Sequence, residues 1–279
     1  MPVLLRPRHT YDPPQGCIYC GDQDGPFGDE HIVPRNMGGA LVFKDASCKR
    51  CERTINSEIE TPISNMIGTF RRRLLPARNR DKKRRPSTYN LQIIDKTGSI
   101  IREHTLPASE APRVLYLIAF PMPALLVPQT RSQYPELWSW AHRGDLKKMN
   151  SKYGGAGHTA GRYDVDKFAR QLAKIAHAYV AAEYPEMKSY EHLLPQFILT
   201  GAGDYRSLIG CGSRPLDSDT RQFVYKIHWG RFTLDGYAYL VSRFRIFAFT
   251  NAPVYEVIVA RKPLTQSPLE PLPGPPGSL

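Results

Sequence analysis

The sequence predicts an α+β fold, in which a small N-terminal module precedes a larger α+β domain with an antiparallel sheet. Two cysteine pairs enclose short β-prone segments and lead into a helical pattern. Residues 166–184 carry apolar side chains at three- and four-residue steps, as an amphipathic helix requires. Residues 223–229, 237–249 and 254–260 are rich in β-branched and aromatic residues, which favours strands of one antiparallel sheet.

Composition excludes a disordered chain and indicates the chemistry of a partner. The 279 residues are 41% hydrophobic, which is enough to fill a core. A formal net charge of +12 favours a polyanionic partner, with nucleic acid ahead of a membrane. The first residues do not fit a signal peptide, and Pro121 and Pro123 interrupt the longest apolar region. We therefore expect a soluble, cytoplasmic protein without a membrane partner.

The two cysteine pairs predict a structural zinc site. Four of the five cysteines occur as Cys17-Ile-Tyr-Cys20 and Cys48-Lys-Arg-Cys51, with 27 residues between the pairs. Four thiolates suit tetrahedral Zn²⁺ and leave no open coordination position. The fifth cysteine, Cys211, is expected to be a small buried apolar residue.

The residues between the cysteine pairs predict the order strand, loop, strand, helix. A Gly- and Asp-rich turn precedes a short strand that ends near Val33, and the Gly38-Gly39 turn leads into a second strand and a helix near Cys48. Glu30 and His31 lie side by side at the end of the first strand. A structural zinc module does not need this pair, although a histidine alone is also compatible with a structural role.

The combination of C-x-x-C, E-H-I-V-P, G-G and C-x-x-C opening a helix resembles the HNH endonuclease family, the zinc-stabilised form of the ββα-metal fold. The resemblance covers about residues 15–60. It implies a metal-dependent endonuclease that hydrolyses phosphodiester bonds in DNA, with RNA as a substrate that the sequence does not separate from DNA.

The resemblance also implies the roles of individual residues. His31 matches the general base, and Glu30 takes the position of a ligand to a catalytic divalent metal, Mg²⁺ or another ion. In the family, an asparagine or histidine on the helix just after the second cysteine pair completes the metal site. This sequence departs from that pattern, so Glu52 is the first choice for the last metal ligand and Asn56 is the second. The asparagine expected between the glycines and the second cysteine pair, which in the family helps to hold the histidine loop, is absent, and Asp45 or a backbone group would have to hold the loop instead. These departures leave a second hypothesis open, a zinc-stabilised nucleic-acid-binding module without catalysis.

A dense basic segment follows the module. Residues 71–86 contain nine basic residues and one acid, so this segment carries a net charge of +8. It is either a solvated or disordered segment or a set of phosphate contacts, and its position after the cysteine module favours the contacts. The candidate nucleic-acid contacts are Lys49, Arg50, Arg53, Arg71, Arg72 and Arg73.

The remaining sequence predicts the domain limits. The predicted parts are an extended arm at 1–16, the zinc module at 17–75, a basic linker at 76–86, the α+β domain at 87–262, and a Pro-rich disordered tail at 263–279. Within the larger domain we expect a hairpin from 88–95 and 99–105, a strand at 114–120, and a long irregular stretch around Trp138 and His158. Its His177 is expected to be structural, and the domain itself to position substrate or bind a partner.

Overall fold

We describe the protein from a computed structural model. The structure describes residues 7–67, 70, 87–94, 100–153, 157–159, 163–213, 216 and 223–264. The basic segment with Arg71, Arg72 and Arg73, the turn of the predicted hairpin, and the Pro-rich tail after residue 264 lie outside the described residues.

The N-terminal module has the predicted order of strand, loop, strand and helix, with one further strand. The central strand runs parallel to the first strand and antiparallel to the second, so the sheet order is β1-β3-β2. The first strand lies within the predicted N-terminal arm, which therefore contributes to the sheet. The elements are β1 (His9–Tyr11), β2 (Phe27–His31), β3 (Leu41–Cys48), α1 (Lys49–Ile55) and α2 (Thr61–Met66).

The helical part of the module is interrupted by one wide turn. Residues Asn56–Glu60 form a π-helical turn between α1 and α2, and Pro62 lies in the first turn of α2, where a missing amide proton costs little. The predicted apolar face is buried on both sides of this turn, with Ile55, Ile59 and Ile63 at 3% exposure or less.

The middle of the chain forms two small antiparallel sheets and a helix. The predicted hairpin and strand are present, but the stretch around Trp138 is regular where we expected irregular structure. Trp138 and Trp140 pair with Leu117 and Leu115 of the neighbouring strand, so a long-range partner supplies the order that the local sequence does not indicate. The elements are β4 (Thr88–Ile94), β5 (Ile100–Pro107), β6 (Val114–Ala119), β7 (Glu136–Ala141), α3 (Arg143–Tyr153) and β8 (Gly157–Thr159).

The C-terminal part consists of one long helix against an antiparallel sheet. The helix begins after Asp164, whose carboxylate accepts a hydrogen bond from the Lys167 amide at 3.0 Å. The predicted helix and the three predicted strands are confirmed. The elements are α4 (Val165–Glu183), β9 (Glu191–His192), α5 (Pro195–Thr200), β10 (Ile209–Cys211), β11 (Tyr225–Leu234), β12 (Tyr237–Ile246) and β13 (Tyr255–Pro263). The sheet order is β10-β13-β12-β11, and β9 pairs with β13.

One hydrophobic core joins the module to the C-terminal part. A single cluster of buried residues contains Ile32 and Ile59 of the module, Phe168 and Leu172 of α4, and Val257 of β13. Helix α4 contacts the turn at Asn56–Glu60 on one side and strands β12 and β13 on the other. The module therefore packs against α4. Within the described residues, no helix is long and apolar enough to cross a membrane.

Candidate functional site

The four paired cysteines come together as the sequence predicts. The sulfur atoms of Cys17, Cys20, Cys48 and Cys51 all lie within 4.8 Å of one another, and the Cys20 and Cys48 sulfurs are 3.7 Å apart. A tetrahedral zinc with Zn–S bonds of 2.3 Å requires sulfur atoms about 3.8 Å apart. The cluster therefore fits a structural zinc ion.

The main chain around the first cysteine pair is held in place by hydrogen bonds. The Cys17 amide donates to the Asp22 carbonyl at 2.7 Å, and the Gly21 amide donates to the Cys17 carbonyl at 2.9 Å. Gly21 has a φ of 74°, which a side chain would disfavour. Between the two cysteines, the Ile18 amide donates to the Ala46 carbonyl of β3 at 3.0 Å. The second pair is positioned by the junction of β3 and α1, so both halves of the cluster are anchored to β3.

Glu30 and His31 point to opposite faces of β2, as strand geometry requires. They pair with Phe43 and Val42 of β3. Glu30 is only 6% exposed, whereas His31 is partly exposed. The register of the two strands shifts between Gly28 and Glu30, where Asp45 has a φ of 46°. The pairing resumes at Glu30 and His31 after this irregularity.

The Glu30 carboxylate is bound by a lysine from α4. The ammonium group of Lys174, which is fully buried, contacts Glu30 and lies 3.0 Å from the Glu60 carboxylate. Lys174 also donates to the carbonyl oxygen of His31, and the Ile32 carbonyl lies 3.4 Å away. Burial alone would lower the pKa of Lys174, but the two carboxylates overcome this effect and raise it. Lys174 is therefore charged and uses its three N–H groups on Glu30, Glu60 and His31.

The loop after His31 is compact and buried. Ile32 is fully buried and Val33 is 1% exposed, and the chain then turns through Gly38, which has a φ of 84°. A Cβ atom on Gly39 would lie 1.7 Å from the Val33 carbonyl oxygen, so only glycine fits there. The Asn36 amide donates to the Ser64 hydroxyl at 2.8 Å and ties the loop to α2.

His31 is neutral at physiological pH. Burial, followed by the positive charges of Arg35 and Lys174, lowers the pKa of His31 from 6.5 to about 4. The Nδ1 atom is buried and has no hydrogen-bond partner among the described residues. No acid or main-chain group of that part of the chain therefore orients the ring through Nδ1. Arg35 and Arg8, both exposed, contribute positive potential around the ring.

The predicted ligands of a catalytic metal are not assembled. Within the described residues, the four cysteines are the one group of three or more His, Cys, Asp or Glu ligand atoms close enough to hold a metal. Glu30 faces Lys174, and Glu52 forms an ion pair of 2.8 Å with Lys49. The Glu52 carboxylate lies beside Gly28, three residues and about 10 Å along β2 from His31. Asn56 is exposed on the π-helical turn. These residues do not fit a preformed divalent-metal site, and the catalytic metal stays a prediction.

The three basic residues predicted on α1 are exposed, and each has a local partner. Lys49 pairs with Glu52, and the Arg53 guanidinium donates to the Lys49 carbonyl at 3.2 Å. Arg50 lies beside the sulfur of Cys20, which raises the pKa of the arginine. Nucleic-acid contact by these residues stays a prediction, as it does for Arg71, Arg72 and Arg73.

Two residues that sequence reasoning missed hold the site together. Lys174 and Glu60 lie far apart in the chain, and Lys174 contacts both Glu30 and Glu60. One signal was present in the sequence: Gln171, Lys174 and His177 repeat every three residues within the otherwise apolar residues 171–178 of the helix. All three are buried, so the polar stripe of α4 faces the interior.

A cleft of the described structure lies away from this site. It has a volume of about 660 Å³ and lies between Leu106–Glu110 and α3. Its lining includes Asp145, Lys148 and Met149 but none of the candidate site residues. The cleft therefore does not belong to the site around His31.

The fold and the site define an α+β protein with a ββα module in its N-terminal part, in which four cysteines could hold a metal ion such as zinc. Residues 17–67 match the model of a family described as HNH endonuclease, which confirms the resemblance drawn from the two cysteine pairs and the Glu30-His31 pair. Searches of curated proteins and of solved structures gave no match to the chain. The family match includes Glu60 but ends before α4, which supplies Lys174.

Proposed function

We propose that the protein is an HNH-type endonuclease that hydrolyses phosphodiester bonds in DNA, with His31 as the general base. The observation that carries the proposal is the state of His31 within the matched segment. The ring is partly exposed and neutral, and because Nδ1 is buried, Nε2 is the ring nitrogen that would meet a water molecule. A general base needs a free lone pair at the working pH.

The proposed reaction is the attack of water on a phosphodiester. A ring nitrogen of His31 removes a proton from water while the water oxygen forms a bond to phosphorus. The bond from phosphorus to the 3′ oxygen breaks, and the leaving oxygen takes a proton from solvent. The products are a 5′ phosphate and a 3′ hydroxyl. The imidazolium of His31 then returns its proton to solvent, which its low pKa favours.

The charge of the protein supports a nucleic-acid substrate. The formal net charge is +12, and the exposed Arg8 and Arg35 lie near His31. Arginine side chains can hold phosphate oxygens through two parallel hydrogen bonds, which would fix the register of the strand without reading its sequence. Binding should therefore weaken steeply with salt.

A second function is favoured by the surroundings of Glu30. Its carboxylate is buried against Lys174, and Glu52 lies at the other end of β2. A protein without a metal bound at these residues could be a zinc-stabilised nucleic-acid-binding module without catalysis.

Nicking of supercoiled plasmid DNA separates the two functions. The wild-type protein, His31→Ala, and His142→Ala are compared in magnesium, manganese and nickel. We expect His31→Ala to nick at least about 100-fold more slowly, because the general base is lost. His142 is a partly exposed histidine outside the matched segment, and its variant should cleave like wild type.

Two measurements make the result unambiguous. Zinc content and circular dichroism must be equal in the three proteins, so that loss of cleavage reports on His31. Equal cleavage by purified His31→Ala would refute the proposed base. Salt-dependent binding by wild type without nicking in any metal would favour the binding module.

A further inference from the structure

Helix α4 lies outside the residues that match the HNH family, yet its polar side chains bind the matched segment. Lys174 donates to the His31 carbonyl, and Nε2 of His177 lies 2.7 Å from the carbonyl of Ile18, between the first two cysteines. Glu183 accepts a hydrogen bond from the Tyr11 hydroxyl of β1. The helix therefore contacts the strand that carries the candidate base, the first cysteine pair, and the edge of the sheet.

The contacts of Lys174 define what this residue can do. Its side chain is fully buried, and its three N–H groups are used on Glu30, Glu60 and the His31 carbonyl. It cannot reach a substrate in this state. Its direct link to the candidate site is the main chain of His31.

We propose that Lys174 is a positioning residue for His31, and that Glu30 is a buried counter-ion of Lys174 and not a ligand of a catalytic metal. This inference rests on the proposed nuclease function. The residue that holds the base thus comes from the part of the chain outside the family match. The role that we expected for Asp45 or a backbone group in the histidine loop belongs to Lys174.

The wide helical turn before α2 serves the same arrangement. In a regular α-helix, Asn56 and Glu60 would lie on the same face, four residues apart. In the π-helical turn Asn56 is exposed, whereas Glu60 lies 3.0 Å from Lys174. π-Helical turns occur often at functional sites because the added residue redirects the side chains that follow. Here the turn brings a second carboxylate to the lysine.

The hydrogen bond from Lys174 to the His31 carbonyl is important because a general base must be held at a fixed position relative to the reacting atoms. His31 is the last residue of β2, and the strand register shifts just before Glu30. The lysine therefore fixes the main chain where the regular sheet ends. A displacement of about 1 Å in a reacting group can reduce turnover about 100-fold.

A charge-balanced variant separates positioning from stability. Lys174→Met alone leaves the buried Glu30 and the partly buried Glu60 without a cation and is expected to fold poorly. The triple variant Lys174→Met/Glu30→Gln/Glu60→Gln removes all three charges together. The control is Arg170→Met, one turn earlier on α4, because Arg170 donates to the Ile198 and Leu199 carbonyls and not to the module. Circular dichroism and zinc content establish that each variant is folded.

Steady-state cleavage of a duplex oligonucleotide then tests the proposal. We expect the triple variant to keep a KM within about twofold of wild type and to lose about 100-fold in kcat, while Arg170→Met keeps both values. A folded triple variant with a wild-type kcat would overturn the positioning role. A tenfold rise in the magnesium concentration for half-maximal cleavage in Glu30→Gln would overturn the second half of the proposal, because it would identify Glu30 as a ligand.

A measurement without cleavage keeps this inference separate from the proposed function. In protein with isotopically labelled histidine, the NMR signal of the His31 ring is assigned by its absence from the spectrum of His31→Ala. We expect one sharp signal in wild type and Arg170→Met, and a broadened or divided signal in the triple variant. An unchanged signal in the triple variant would refute the coupling between Lys174 and His31. If wild type cleaves no DNA, the nuclease proposal fails, while this spectrum still tests the coupling.

Discussion

The buried histidine of α4 should make the protein less stable in acid. His177 is fully buried, and burial, followed by the nearby His192, lowers its pKa from 6.5 to about 4. Its Nε2 atom binds the Ile18 carbonyl, while Nδ1 is buried without a partner among the described residues. A second ring proton would therefore be buried without an acceptor, so the folded protein binds it less readily than the unfolded chain.

The size of this effect follows from the two pKa values. The contribution of His177 is fully present above pH 6.5 and is lost as the pH falls towards 4. At pH 5 the loss amounts to about 2 kcal/mol relative to pH 7, which corresponds to roughly 5 °C in the melting temperature of a chain of this size.

His177→Gln provides the test, because a glutamine amide can donate to the same carbonyl and does not titrate. We expect the melting temperature of wild type to fall between pH 7 and pH 5 by about 5 °C more than that of His177→Gln. His9→Gln, in which an exposed histidine of β1 is replaced, should retain the wild-type slope. Zinc content is measured at each pH, since all three proteins share the same thiolates. Equal slopes in wild type and His177→Gln would show that His177 is not the titrating group.

Two further substitutions test how the module is held together. Cys51→Ser should lose the bound zinc, and with it much of the roughly 10–16 kcal/mol of apparent binding energy that such a site supplies. Zinc analysis and thermal unfolding measure these two losses. The control variant, Cys211→Ser, should keep one zinc per chain. Zinc retained at full affinity by Cys51→Ser would contradict the four-thiolate site. Gly39→Ala should lower the free energy of unfolding by more than about 2 kcal/mol, because its Cβ would lie 1.7 Å from the Val33 carbonyl oxygen. Gly230→Ala, where a Cβ meets no atom within 4 Å, should change it by less than about 1 kcal/mol in denaturant titrations; equal losses at both glycines would exclude the steric explanation.

Elements set by local patterns were predictable from the sequence. The C-x-x-C spacing indicates a metal cluster because two cysteines three residues apart can bind one ion, and the four sulfur atoms do converge. Helix α4 was predicted within one residue at each end, because its apolar repeat is long. The strands at 225–234, 237–246 and 255–263 follow from their β-branched and aromatic residues.

Features set by distant partners were not predictable in this way. Trp138 and Trp140 lie in a strand because β6 pairs with them, and β6 is separated from them by a proline-rich connection. Glu30 offers a carboxylate in a family position for a metal ligand, but the partner that it meets is 144 residues away in the chain, on α4. Periodicity places Lys174 on a helix and cannot indicate which carboxylate it meets.

The pairing of Lys174 with Glu30 gives the C-terminal part of the chain a role in stabilising the N-terminal module. In the described structure, the ammonium group of Lys174 contacts the Glu30 carboxylate. The Glu60 carboxylate binds the same ammonium group. Removing the lysine alone would leave the buried carboxylate of Glu30 without its cation, a change that typically costs about 3–5 kcal/mol. The module should therefore fold poorly without α4, even though residues 17–67 contain the whole family match. Since the same lysine binds the His31 carbonyl, the C-terminal part determines both whether the module is stable and where its candidate base points.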